Sequence, residues 1–227
     1  MFLSLALPAK LPQRWVDEFL GGLLKLASKF EVPLAGGDTS KSPGKILADI
    51  VVLGSVPKGK AILRSGARPG DRIFVTGTLG YAATTLAALL RGHGKKITVP
   101  DLNRYFYPSH RVEVGRILRE KGLASSMIDI SDGLSTDLSH ICEESKVGAE
   151  LIADAIPHPE TDLRFALHGG EDYELLFTAP AKATVPPRIA NVPVAEIGRI
   201  VRGRKMSLRI DGKLLKLAPE GWEHFRG

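Results

Sequence analysis

The sequence predicts an α/β (α+β) protein in two parts. An incomplete N-terminal sheet-plus-helix domain, residues 1–57, precedes a C-terminal α/β domain, residues 58–227, with a mixed sheet flanked by helices. Three observations predict it. Apolar runs ending in turn residues alternate with segments of helical periodicity, as in βαβ units. A late pair of apolar runs joined by Asp211-Gly212 reads as a hairpin, which adds antiparallel strands to the same sheet. The stretch before Val56-Pro57-Lys58-Gly59 holds two strands and one long helix, too little to cover both faces of a small sheet.

Taken in order, Met1 to Leu7 is apolar, lacks the basic start of a signal peptide and meets Pro8, so it reads as a buried strand. After Leu11-Pro12, Trp15, Phe19, Leu23, Leu26 and Phe30 fall on one helical stripe, expected to be core. Glu31 to Ala35 is short and apolar and leads into Gly36-Gly37-Asp38-Thr39-Ser40, expected as a turn or phosphate loop. Ile46 to Leu53 and Asp71 to Thr76 read as strands, Leu79 to Leu90 as an Ala-rich helix, and about His110 to Glu120 as a second. Met127 to Asp129 ends a strand, Ser131-Asp132-Gly133 turns, and Leu134, Leu138 and Ile141 recur at helical spacing. Strands follow at Ala149 to Ile152, Tyr173 to Thr178 and Val194 to Ile200, then the hairpin of Met206 to Ile210 and Lys213 to Leu217.

Composition excludes several classes. The chain has 227 residues, 44% hydrophobic and 25% charged, which suits a globular fold rather than disorder or fibre. Its one cysteine, Cys142, cannot form a disulfide within the chain, and a reducing cytoplasm fits best. No apolar run approaches the ~18 residues of a membrane span. A net charge of +6 suits an anionic partner. The basic runs Arg91-Gly-His-Gly-Lys-Lys96 and Arg199 to Lys205 lack interleaved aromatics, so nucleic acid is not the expected partner.

Three acidic stretches carry the chemistry. Asp129 and Asp132 stand at the carboxyl end of a strand, where open α/β sheets bind ligands. If roughly 5 Å apart, the two would repel by about 3 kcal/mol at an effective dielectric of ~20, a cost a divalent cation removes. Helix capping by Ser131 or Asp132 is the plainer alternative. Gly36-Gly37-Asp38 and Gly169-Gly170-Glu171-Asp172 repeat the pairing of glycines with carboxylates, and each also reads as an ordinary turn. Arg64 is either a phosphate clamp or half of a surface ion pair. Trp222 is first a terminal anchor docked on the core, and second a flat platform for an aromatic ligand. His110, His158 and His168 lack zinc-site pairing. There is neither a Walker A loop nor a Gly-x-Ser-x-Gly elbow.

Ala35-Gly-Gly-Asp-Thr-Ser40, Leu63-Arg-Ser-Gly-Ala-Arg-Pro-Gly-Asp71, Val75-Thr-Gly-Thr-Leu-Gly80, Ile128-Asp-Ile-Ser-Asp-Gly-Leu134, Gly169-Gly-Glu-Asp-Tyr-Glu-Leu175 and Gly221-Trp-Glu-His-Phe225 together resemble the thiamine-monophosphate kinase family. That family is similar to aminoimidazole ribonucleotide synthetase and selenophosphate synthetase. The resemblance implies transfer of the ATP γ-phosphoryl group to thiamine monophosphate, with Mg²⁺. It implies Asp38, Asp129 and Asp132 as Mg²⁺ ligands, Asp129 and Asp132 being catalytic. Gly37, Asp38, Arg64 and Ser131 match ATP-contacting positions, and Glu171 and Trp222 match thiamine-contacting ones.

The resemblance also implies an upstream segment with a Gly-Asp-Asp motif and strands that help form a homodimer, neither of which is in this sequence. Weak or no activity is therefore the expectation for residues 1–227 alone. A non-catalytic nucleotide- or thiamine phosphate-binding remnant, and another synthetase of the same ATP-binding superfamily, are the alternatives. Two local departures stand out: Pro157 to Leu167 is shorter than in the family, and Tyr81 replaces an acidic residue at the start of a helix.

Overall fold

The structure, a computed structural model, describes residues 1–92, 98–159 and 162–222. His93 to Lys96 of the first basic run, Glu160 and Thr161 of the short segment, and Glu223 to Phe225 of the terminal motif lie outside the described residues. The chain divides into two compact units, Met1–Lys58 and Gly59–Gly227.

The first unit contains β1 (Phe2–Pro8), α1 (Gln13–Ser28), β2 (Gly36–Ser42) and β3 (Leu47–Val51). The sheet order is β2-β1-β3, with β1 parallel to β2 and antiparallel to β3. Here Gly36 to Ser40 is not a turn but most of β2, paired residue for residue with Phe2 to Ala6. The reason is steric: a Cβ on Gly37 would overlap the Leu3 carbonyl, so glycine admits the neighbouring strand. The stripe of α1 is also not the core expected. Trp15 and Phe19 stack at 5.2 Å and are half-buried, Leu26 is 56% exposed, and Ala27 is the buried residue of the helix.

The second unit is a mixed sheet of β4 (Arg72–Thr76), β5 (Ser126–Asp129), β6 (Gly148–Ile152), β7 (Leu175–Ala179), β9 (Val192–Val201), β10 (Met206–Ile210) and β11 (Lys213–Lys216). Their order is β11-β10-β6-β9-β4-β7-β5, with a two-residue β8 (Arg188–Ile189) paired to β9. The β6–β10 pair is parallel, and its neighbours along the sheet are antiparallel. The helices are α2 (Tyr81–Leu90), α3 (Val99–Phe106), α4 (Val112–Glu120), α5 (Leu134–Ser145) and α6 (Leu163–His168).

Strand alternation sorts side chains to two cores. Ile73, Val75, Leu176 and Ile197 join Leu134, Leu138 and Ile141 of α5 and Leu167 of α6. Phe74 and Phe177, cross-strand partners stacked at 5.2 Å, join Val114 and Leu118 of α4 on the other face. Each such buried side chain contributes about 1.5–3 kcal/mol. The expected hairpin forms at Asp211-Gly212, both at positive φ (47° and 76°), as a two-residue turn of this hand requires. Besides β2, the elements α3, β8 and α6 escape the periodicity reading, and α6 begins inside the segment from Pro157 to Leu167 that is shorter than in the family.

Candidate active site

β5 delivers Asp129 to its carboxyl end, and the chain then crosses the loop before β7. The Ile130 amide donates to the Glu174 carbonyl (2.8 Å), Tyr173 to that of Ile130 (2.9 Å) and Glu171 to that of Ser131 (2.8 Å). The two glycine-acid stretches are thereby laced together. Gly133, at φ 114°, has no room for a side chain, since a Cβ would sit 2.9 Å from the His168 carbonyl carbon. α5 starts at Gly133 with no capping side chain in front of it. Asp137 does that work from inside the helix, its Oδ2 accepting from the Asp132 and Gly133 amides at 3.1 Å each. Capping by Ser131 or Asp132 is therefore not what the turn uses.

Both side chains instead line a cavity of about 660 Å³, together with Glu171, Tyr173, Trp222 and Tyr105, and with Leu86 on its apolar side. Burial raises the Tyr173 phenol pKa first, and the charges of Glu171, Asp129 and Asp132 raise it further. Three of the acidic groups singled out in the sequence thus act on one phenol. Glu171 and Tyr173 hold left-handed backbone conformations (φ 65° and 50°), uncommon for residues with side chains and concentrated at functional sites. Trp222 is 64% exposed, so it is not docked in the core as first expected. Its ring is carried by a strap whose successive amides donate to the start of α5: Glu220 to Ser135 Oγ (3.3 Å), Gly221 to Thr136 Oγ1 (3.0 Å) and Trp222 to the Asp132 carbonyl (3.0 Å).

The other acids of the Gly-Gly-Glu-Asp-Tyr-Glu stretch are occupied. The Asp172 carboxylate accepts from the Gly80 (2.7 Å) and Ala82 (3.3 Å) amides, supplying to α2 the cap that Tyr81 does not. Burial pushes its pKa up to about 6 against those bonds. Glu174 is buried and takes a forked ion pair from Arg111, with Thr76 Oγ1 donating at 2.6 Å. Asp137 is likewise raised to about 6, by burial first. With Asp132 and His140 it forms a group whose ligand atoms lie within 4.8 Å of one another, a cluster that motif reading missed.

Arg64 does not line the cavity. It lies on the open edge of β5, exposed, its carbonyl accepting from Ser145 Oγ at 3.0 Å. Gly37 and Asp38 belong to the first unit, where Asp38 is an exposed residue of β2 opposite Ser4. Cys142 is buried, its thiol pushed up to about 12, as an inert core residue should be. No described helix is long and apolar enough to cross a membrane.

Models of the AIR synthase related protein match residues 1–56 (N-terminal domain) and 68–211 (C-terminal domain). The thiamine-monophosphate kinase of Escherichia coli K12 is 37% identical over 244 aligned residues, 98% of this chain and 72% of that protein. The chain belongs to the thiamine-monophosphate kinase family. Two solved structures agree with this membership. AaThiL complexed with AMPPCP and TMP superposes with a TM-score of 0.82 at 31% identity, over 99% of this chain and 72% of that one. The thiamine-monophosphate kinase of Stenotrophomonas maltophilia K279a gives 0.78 at 33% identity, over 94% and 72%. As a member of the thiamine-monophosphate kinase family, the chain has the fold of these relatives, a small three-stranded sheet and a larger mixed sheet flanked by helices. Tyr105 and Tyr173 are the cavity residues that sequence reasoning passed over. Tyr173 carried a signal, standing next to the acidic pair, while Tyr105 belongs to no motif.

Proposed function

We propose that this chain works in thiamine diphosphate formation, transferring the γ-phosphoryl group of ATP to thiamine monophosphate. The observation that carries the reading is the single cavity lined by Ser131, Asp132, Glu171 and Trp222, in a chain 37% identical to a thiamine-monophosphate kinase. In this reading a phosphate oxygen of thiamine monophosphate attacks the γ-phosphorus, the bond to the β–γ bridging oxygen breaks, and ADP leaves. The acceptor oxygen is already ionised, since a phosphate monoester has its second pKa near ~6. No protein base or nucleophile is needed, and positioning with charge neutralisation does the work.

Glu171 and Trp222 hold the cationic vitamin, a carboxylate and a ring face both suiting a thiazolium. Ser131, Arg64, Gly37 and Asp38 contact ATP. Asp38, Asp129 and Asp132 present hard carboxylate oxygens, the donor type Mg²⁺ takes when it also meets phosphates. Mg²⁺ held by such carboxylates would neutralise phosphate charge.

The test is ATP-dependent formation of thiamine diphosphate by the purified chain with Mg²⁺, beside calorimetric titration with thiamine monophosphate. Product above the ATP-free blank, cut to the blank by Asp129→Asn, is the expected result. Neither product nor binding of thiamine monophosphate would overturn the assignment, and an unchanged rate in the Asp129→Asn variant would overturn that residue's role.

A further inference from the structure

The basic run from Arg199 to Lys205 has no part in the proposed active site, yet its end lines a cavity of its own. Arg199 pairs with Glu150 on the sheet. Arg204 and Lys205 instead join Lys216 of β11 around a space of about 310 Å³, near the lower end of the ~300–1,000 Å³ that ligand pockets span. Its floor is apolar, made by Cys142, Val147, Met206 and Leu217, all buried members of the larger core. The Leu217 amide donates to the Met206 carbonyl (3.0 Å) and so closes that floor. Cys142 stands about 12 Å along α5 from Leu134, where the helix leaves the acidic turn.

The lining selects a chemistry. Among the described residues, no ion pair or hydrogen bond reaches the side chains of Arg204, Lys205 or Lys216. Glu143 is the one carboxylate among the lining residues, so the rim keeps two positive charges, matching a phosphate monoester dianion. The floor offers methyl and methylene groups, and no lining residue is aromatic, so a nucleobase has nothing to stack on. The Cys142 thiol, pushed up to about 12 by burial, is no nucleophile, which leaves non-covalent binding. One wall, Ala218 and Pro219, runs directly into Glu220 and Gly221, whose amides are clamped to Ser135 and Thr136, and then into Trp222.

We infer that this cavity is an effector site for a small aliphatic phosphate monoester, and that its occupancy is felt at Trp222 through the connecting strap. Arg204, with its planar fork, and Lys216 hold the phosphate, and the alkyl chain lies on Met206 and Leu217. The inference does not depend on the thiamine monophosphate reading, because none of these residues lines the main cavity.

The purified chain is titrated calorimetrically with hexyl phosphate, ethyl phosphate, hexanoate and inorganic phosphate. Each methylene buried on the floor is worth about four-fold in affinity. Hexyl phosphate is therefore expected to bind at least twenty-fold more tightly than ethyl phosphate, and at least five-fold more tightly than hexanoate. R204M and K216M, two exposed substitutions that test the rim independently, are each expected to lose at least five-fold for hexyl phosphate. In a Trp15→Phe chain, whose emission comes from Trp222 alone, hexyl phosphate is expected to change the emission, with the midpoint moved in R204M by the same factor as the affinity.

The site is overturned if hexyl phosphate binds no better than ethyl or inorganic phosphate, or if both rim variants keep full affinity. It is also overturned if rising thiamine monophosphate or MgATP displaces hexyl phosphate without limit, which would put the probe in the main cavity. Binding that leaves Trp222 emission unchanged would overturn the coupling through the strap.

Discussion

Asp172 is a carboxylate that the fold holds against its own preference, capping α2 through the Gly80 and Ala82 amides while burial pushes its pKa up to about 6. In the unfolded chain an aspartate titrates near ~3.9. Between the two values the folded chain binds the extra proton, so the contribution of Asp172 to stability grows as pH falls and is lost as pH rises through about 6. In urea unfolding, wild type should therefore gain on Asp172→Asn between pH 7 and about pH 4.5. A gap that does not widen would show that the carboxylate is not buried as described. At this scale the motifs name Ser131, Asp132, Glu171 and Trp222, four residues that line one cavity, because glycine beside an acid leaves a trace in sequence. Tyr105 leaves none: it is an ordinary helix residue whose place depends on where α3 lies.

In the proposed reading, the strap from Glu220 to Trp222 is the element that carries a substrate-facing ring. Three successive amides donate to Ser135, Thr136 and the Asp132 carbonyl, so one clamp holds both the indole ring and the acidic turn. Ser135 Oγ also meets His168 Nδ1 at 2.9 Å, but Ser135 is fully buried, which makes it a clamp and not a nucleophile. Thr136→Val removes the acceptor for the Gly221 amide, a loss of about 1 kcal/mol or roughly five-fold in affinity. The expected outcome is that weakening for thiamine monophosphate with MgATP binding unchanged. Equal loss for both ligands would mean the variant had damaged the turn as a whole. α5 itself was legible from Leu134, Leu138 and Ile141, a stripe that is buried as its spacing predicts. β2 was not, because Gly-Gly-Asp-Thr-Ser has the composition of a turn, and pairing with β1 overrides that local preference. α6 and β8, six and two residues long, are too short to show a period.

Over the whole molecule, apolar burial is divided very unequally between the two units. In Met1–Lys58 the buried apolar residues among those described are Met1, Leu3, Leu5 and Ala27, whereas one core of Gly59–Gly227 alone gathers 22 buried residues. The connecting stretch from Val52 to Ala61 is exposed throughout and contains no helix or strand. We propose that the division near residue 58 separates two cooperative units of different stability, because about 1.5–3 kcal/mol for each buried side chain must offset the ordering of every residue fixed. The two tryptophans report on them separately, Trp15 in the first unit and Trp222 in the second. In a Trp222→Phe chain the fluorescence of Trp15 should change at lower urea than the transition of Trp222 in a Trp15→Phe chain. Leu138→Ala, which opens a cavity in the larger core, should destabilise the Trp222-reported transition by roughly 2–5 kcal/mol and leave the Trp15-reported one in place. Coincident transitions that Leu138→Ala shifts together would show a single cooperative unit, because a cavity in one core can move the other's midpoint only if the two unfold as one.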